Sequence, residues 1–185
     1  MRKKDFEKEQ RVKEAVIKLI LEEGFEGASI SKIARAAGVS PATVYIYYDN
    51  KEQMLSSIYR EYANSTYEYL MDRIRADMDG RQLVSSLVRG YYSYITDNSE
   101  IYRFVEQCSH CPTLSAQEYN DVCCAFDFFD CMKDRGVLRR YSNESLAAII
   151  FSPVKAISTE YPAGGRRAED LLDELIQIVS EAILM

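Results

Sequence analysis

The stretch Ser40–Lys51, SPATVYIYYDNK, holds Thr43, Val44, Tyr45, Ile46, Tyr47 and Tyr48 in an unbroken run of β-branched and aromatic residues. Propensity alone reads such a run as a strand. The leading pair points elsewhere. Ser40 offers a side-chain oxygen for an N-cap, and Pro41 suits the first helical position, where its missing N–H has no intrahelical partner to lose. No second alternating segment lies nearby to pair with a strand. The run is predicted to be a short helix whose side chains serve something other than helix stability.

The flanks read as helical in both directions. Upstream, Val12, Ala15, Val16, Leu19 and Ile20 recur at helix spacing, with Gly24 as a stop signal. Ser29 caps a second helix with the apolar face Ile30, Ile33, Ala34 and Ala37, ended by Gly38. Downstream, Asn50 caps a long helix through Met54, Leu55, Ile58 and Tyr62 towards Met78. Further helices are predicted over Leu83–Ile95, Ile101–Cys108, Ser115–Lys133, Ser145–Ile157 and Ala168–Leu184, with Pro153 expected to kink or start the penultimate one. The fold class is all-α, about nine helices. Residues 1–50 are expected to form a three-helix domain, and 51–185 a larger helical domain.

Composition bounds the possibilities. Of 185 residues, 47% are hydrophobic, enough for a sizeable core. The N-terminal MRKKDFEKEQ lacks the apolar core of a signal peptide, and no apolar run approaches the roughly 20 residues of a membrane span. A cytoplasmic protein with no membrane partner is expected. The net charge of −6 is unevenly spread: residues 1–60 carry 11 Lys and Arg against 9 Asp and Glu, the remainder 12 against 20. A basic head on an acidic body is the distribution expected if only the head meets phosphate.

Helices two and three are short and joined by AGVS, Ala37–Ser40, where Gly38 can take a positive φ without steric penalty. This is the helix-turn-helix arrangement, whose second helix enters the DNA major groove. On that helix Val44 and Tyr48 share the inward face. Pro41, Ala42 and Tyr45 share another, small at its N-terminal end and apolar towards thymine methyl groups. The hydroxyls of Ser40, Thr43 and Tyr47, and the Lys51 ammonium, suit phosphate oxygens.

Residues Gly24–Leu55, GFEGASISKIARAAGVSPATVYIYYDNKEQML, resemble the DNA-binding domain of TetR-family transcriptional regulators. The matching elements are Gly24–Phe25, Ile33–Ala34, AGVS, Tyr45, an aromatic at Tyr48, and Asn50–Lys51–Glu52. The resemblance covers about the first third of the chain; the rest matches in length and helical pattern. It implies phosphate contacts from Ser40, Thr43, Tyr47, Lys51 and a serine at the head of helix two, Ser29 or Ser31, with Ala42 and Tyr45 approaching bases. Pro41 departs from the usual small or basic pair and has no amide proton, which shifts weight towards DNA shape. It also implies a homodimer on a palindromic double-stranded operator, with heads about 34–36 Å apart, and release by a small-molecule effector of unknown identity.

In the body, Leu171, Leu175, Ile178 and Ala182 form one apolar stripe, with Leu172, Ile176, Val179 and Ile183 beside it. Two stripes suggest a helix buried on two sides, one against a partner. The expected dimer interface is Ile149, Leu171, Leu175, Ile178, Val179 and Ala182. Candidate pocket residues are the aromatics and nearby polar groups of the middle helices: Tyr91, Tyr94, Arg103, Phe104, Gln107, Cys108, His110 and Phe126.

Five cysteines lie between Cys108 and Cys131, and free thiols are the expectation for an odd number without an export signal. The CSHC stretch, Cys108–Cys111, is not a finger spacing, the chain has one His, and Cys123 and Cys124 point roughly 100° apart on a helix. No metal and no cofactor are expected. No Gly-rich phosphate loop, arguable catalytic triad or HExxH-type site argues for an enzyme. The alternative reading is a helical small-molecule or protein-interaction module without specific DNA binding, or a thiol- or metal-sensing variant of the regulator.

Overall fold

The computed structural model describes residues 5–75, 77–111 and 123–185, the side chains of 123–125 aside. Among the described residues there are nine helices: α1 (Phe6–Gly27), α2 (Ile30–Ala36), α3 (Pro41–Tyr47), α4 (Lys51–Met71), α5 (Gly80–Asp97), α6 (Ser99–Ser109), α7 (Cys123–Asp134), α8 (Asn143–Glu160) and α9 (Arg166–Ile183). The only strand-like feature among them is an isolated antiparallel bridge between Leu138 and Leu184.

Local chemistry sets the helix ends. Ser29 and Ser40 cap α2 and α3, each accepting from the backbone N–H three residues on, Lys32 and Thr43. Asn50 does the same for Gln53 at the head of α4, 2.8 Å away. α5 opens with a reciprocal box, in which Asp79 accepts from Gln82 N–H while the Gln82 side chain accepts from Asp79 N–H. Gly24 at φ 73° breaks the α1 helix before its last turn, as the sequence indicated. Pro153 does not start a helix: α8 runs unbroken through it, from Asn143 to Glu160. Leu146, Ile150 and Val154, buried on both sides of the proline, hold the helix in place.

The chain forms two compact units. The first runs to Ala63 and takes up the chain again from Glu100; the second comprises Asn64–Ser99 and the C-terminal part through Met185. The unit that holds the helix-turn-helix thus reaches beyond residue 50, because the first turns of α4 and most of α6 complete its core. Val12, Val16 and Ile20 of α1, Ile33 of α2, Val44 of α3, Met54 and Ile58 of α4 and Phe104 of α6 are all fully buried there. Lys13 is buried too, its ammonium 2.6 Å from a Glu61 carboxylate oxygen, so an ion pair ties α1 to α4. In the second unit, α5, α8 and α9 pack through Leu83, Leu87, Leu146, Ile150, Leu172, Ile176 and Val179.

A candidate nucleic-acid interface

A short helix with a rigid back and an open front is the functional core of the first unit. Its rigid back is Val44 and Tyr48, both buried, as the i, i+4 spacing indicated. Burial raises the Tyr48 hydroxyl pKa, with Glu9 and Glu61 adding to the effect. That hydroxyl finds no hydrogen-bond partner among the described residues. The turn before α3 is made by Gly38 at φ 65°, in the left-handed region that favours glycine.

The open front comprises Pro41, Ala42 and Tyr45, all exposed, with Tyr45 at 55%. Ile46, at 36% exposure, joins them, and the sequence reading passes it over. Its spacing of four from Ala42 is the signal that could have found it. Ser29, Ser31 and Ser40 are exposed, and Thr43 is half-buried. Ser40 Oγ lies 2.9 Å from Thr43 Oγ1, so these two hydroxyls sit together at the N-terminus of α3.

Two of the expected phosphate ligands are engaged within the unit. Tyr47 donates its hydroxyl hydrogen to the Asp5 carbonyl at 2.8 Å and accepts from the Asp5 N–H at 3.1 Å, which ties α3 to the start of α1. The Lys51 ammonium donates to the Phe25 carbonyl in the turn after the Gly24 break. Lys32, on α2, is paired with Glu23. What this surface can do chemically is present a small apolar face, flanked by hydroxyls and one tethered ammonium, to a groove about the width of a helix.

The expected ligand-pocket residues do not share one unit. Phe104 and Cys108 are fully buried in the core of the first unit, Gln107 donates to the Ile20 carbonyl there, and Arg103 and His110 are exposed. Tyr91, Tyr94 and Phe126 belong to the second unit, where the Tyr91 ring packs edge-on against Phe151 at 4.9 Å and Tyr94 packs against Tyr69. The side chains of Cys123 and Cys124 lie outside the described residues. Burial pushes the Cys108 thiol up to about 12, Cys131 is exposed, and no metal-holding group of three or more His, Cys, Asp or Glu occurs among the described residues.

The expected interface residues divide as well. Ile178 at 56% and Ile149 at 38% exposure are large apolar side chains facing solvent, with Leu171 and Ala182 half-buried on the same side of α9 as Ile178. Leu175 and Val179 are buried in the protomer's own core, because α9 packs on α5 and α8 through that side.

A capped short helix with a buried back and an exposed small face, set after a glycine turn, defines a helix-turn-helix protein. Residues 14–58 match the family model for bacterial regulatory proteins of the tetR family. That stretch, the helix-turn-helix part of the chain, is what the family model describes. It is 26% identical over 94 residues to the fatty acid metabolism regulator protein of Bacillus subtilis, covering 51% of this chain and 48% of that protein. It is 28% identical over 86 residues to the HTH-type negative transcriptional regulator IcaR of Staphylococcus epidermidis, covering 46% of this chain and 44% of that protein. The matched stretches thus span about half the length of these relatives or less. The crystal structure of a TetR family transcription regulator from Marinobacter aquaeolei VT8 superposes with a TM-score of 0.82 at 23% identity, covering 100% of this chain and 99% of that one. No described helix is long and apolar enough to cross a membrane.

Proposed function

We propose that this protein is a homodimeric, ligand-responsive transcriptional regulator, a repressor that binds a palindromic operator and is released by a small molecule. The observation that carries the reading is the outward face of α3: Pro41, Ala42, Tyr45 and Ile46 exposed on a helix whose other side is locked into a core. Ala42 and Tyr45 approach bases, and Ser29, Ser31, Ser40, Thr43, Tyr47 and Lys51 meet phosphates. Pro41 brings the backbone close without donating, so DNA shape supplies part of the selectivity. The exposed Ile149 and Ile178 seat the partner copy, and two-fold symmetry places two α3 helices on successive major grooves. The names of the relatives, a negative regulator and a regulator of fatty acid metabolism, favour repression and an effector drawn from metabolism.

Mechanistically, effector and operator favour different states of the dimer, and reciprocity requires DNA to weaken effector binding by the same factor. A cytoplasmic location and the absence of catalysis follow from this role. The test is fluorescence anisotropy with DNA from the protein's own promoter region over a salt series. Expected is a sequence-preferring, salt-dependent shift that Tyr45→Ala and Lys51→Ala together abolish, with dimerisation intact. A folded dimer with no sequence preference refutes the reading.

A further inference from the structure

We propose that the second unit carries a binding site for a small metabolite bearing an oxyanion, a phosphate or a carboxylate group, in the groove between α5, the turn after α4, and α9. The groove is shallow and open to solvent, with a volume of about 840 Å³. Arg81, Ser85 and Arg89 recur every four residues along α5 and line it, with Ser86 beside them. Arg73 enters from the turn after α4, and Asp173 from α9.

Two of the three guanidinium groups are held in place before any ligand arrives. Arg73 donates to the Tyr69 carbonyl at 2.7 Å, and its guanidinium lies 3.3 Å from the centroid of the Tyr69 ring. That ring packs at 5.3 Å against Tyr94, whose hydroxyl is 2.8 Å from Ser65 Oγ. Ser86 Oγ donates to the Arg73 carbonyl, fixing the backbone. Gly90 leaves room for the Arg73 stem: a Cβ there would lie 3.4 Å from Arg73 Cδ and 3.2 Å from Leu70 Cδ2. Arg89 donates to both Glu169 and Asp173, and the Glu169 hydrogen bond raises its pKa. Arg81 is exposed and makes neither ion pair nor hydrogen bond among the described residues.

Three guanidinium groups against two carboxylates leave this groove positive, on a body whose residues beyond 60 carry 12 Lys and Arg against 20 Asp and Glu. Guanidinium forks match oxyanions in two-point geometry, and the serine hydroxyls supply further donors. The groove also stays open in the proposed dimer. At 100° per residue, Asp173 and the exposed Ile178 point about 140° apart around α9, so a partner seated on Ile178 does not cover it.

The inference deepens the proposed function by giving the effector's chemical class, and rests on that reading only for the word effector. Its test needs no DNA. The full chain is titrated calorimetrically with pyrophosphate and, separately, with citrate, each against sodium chloride of matched ionic strength. Expected is saturable binding of at least one of them, the better of the two naming the oxyanion, weakened about tenfold or more by Arg81→Gln and by Arg73→Gln. Arg81 has no ion pair or hydrogen bond to lose among the described residues, so its variant is expected to keep the thermal melt of the parent and remains decisive should Arg73→Gln fold poorly. No saturable binding of either anion, or unchanged affinity in Arg81→Gln, overturns the proposal. Either failure leaves operator binding standing, and loss of operator binding leaves this result standing.

Discussion

Tyr47 and Tyr48 are neighbours with the same side chain and opposite hydrogen-bond circumstances, so removing each hydroxyl is expected to have opposite effects. The Tyr47 hydroxyl makes two bonds to the Asp5 backbone. Each is worth about 1 kcal/mol net, but Asp5 is half-exposed and water can replace part of the loss. Tyr47→Phe is therefore expected to cost about 1 kcal/mol. The Tyr48 hydroxyl is buried and has no partner among the described residues. Such a group carries a desolvation penalty of about 1–3 kcal/mol, partly offset by its packing, so Tyr48→Phe should stabilise by about 1 kcal/mol. The pair then differs by about 2 kcal/mol, or roughly 4–8 °C in melting temperature for a chain of this size. Urea and thermal unfolding of both variants measure it. Amide exchange at Asp5 gives the local readout, with protection in Tyr47→Phe falling about fivefold. A Tyr48→Phe variant destabilised by more than about 1 kcal/mol, the typical effect of a point mutation, would mean that its hydroxyl is bonded. Unchanged stability and exchange in Tyr47→Phe would mean that the tie from α3 to α1 contributes nothing.

Other perturbations read other parts of the structure. Gly38→Ala puts a Cβ at φ 65° with no side-chain clash, the nearest atom being Arg11 Nη1 at 3.6 Å; the backbone alone should cost about 1–2 kcal/mol by urea unfolding, and a neutral result would mean the turn relaxes. Lys51→Gln is expected to lower the slope of log affinity against log salt by about one ion, whereas Tyr47→Phe leaves that slope unchanged. Ile178→Glu places a charge on the exposed apolar side of α9 and should shift sedimentation to monomer with helicity retained; a surviving dimer relocates the interface. Because burial raises the Cys108 thiol from an ordinary 9.0 to about 12, its contribution to stability is complete below pH 9 and is lost as pH rises towards 12, where the unfolded thiol ionises first. Cys108→Ala should flatten the fall in stability across that window.

What is legible in the sequence is whatever local chemistry decides. The Ser40–Pro41 start outweighs six β-prone residues, and Gly24 and Gly38 mark places where φ turns positive. The inward pair Val44 and Tyr48 follows from spacing alone. What is not legible depends on who packs against whom. Aromatic composition cannot tell a core from a pocket, so Phe104 and Cys108 read as pocket residues and are core. Two adjacent stripes on α9 show two buried sides without showing that Leu175 and Val179 face the protomer's own interior. The Lys13–Glu61 pair spans 48 positions and leaves no local mark. Pro153 carries an intrinsic cost to a helix, and the packing of α8 on both sides of it keeps the helix unbroken.

The two tethers on the head bear on how it would meet DNA. Lys51 and Tyr47 each bond to a backbone carbonyl, of Phe25 and of Asp5. A carbonyl carries a partial charge, and a phosphate oxygen a full one shared over few atoms. For Tyr47, exchanging the first acceptor for the second turns a neutral bond into a charge-assisted one roughly twice as strong; for Lys51, whose ammonium already makes a charge-assisted bond, it adds the attraction of two full charges. Ordering a free lysine side chain costs about 1.5–2 kcal/mol, and much of that is already spent when the ammonium is tethered beside the interface. The intramolecular bonds therefore do not compete away phosphate binding. In the proposed complex they would position the donors for it, and α3 would reach the groove with its flanking ligands already close to their working geometry.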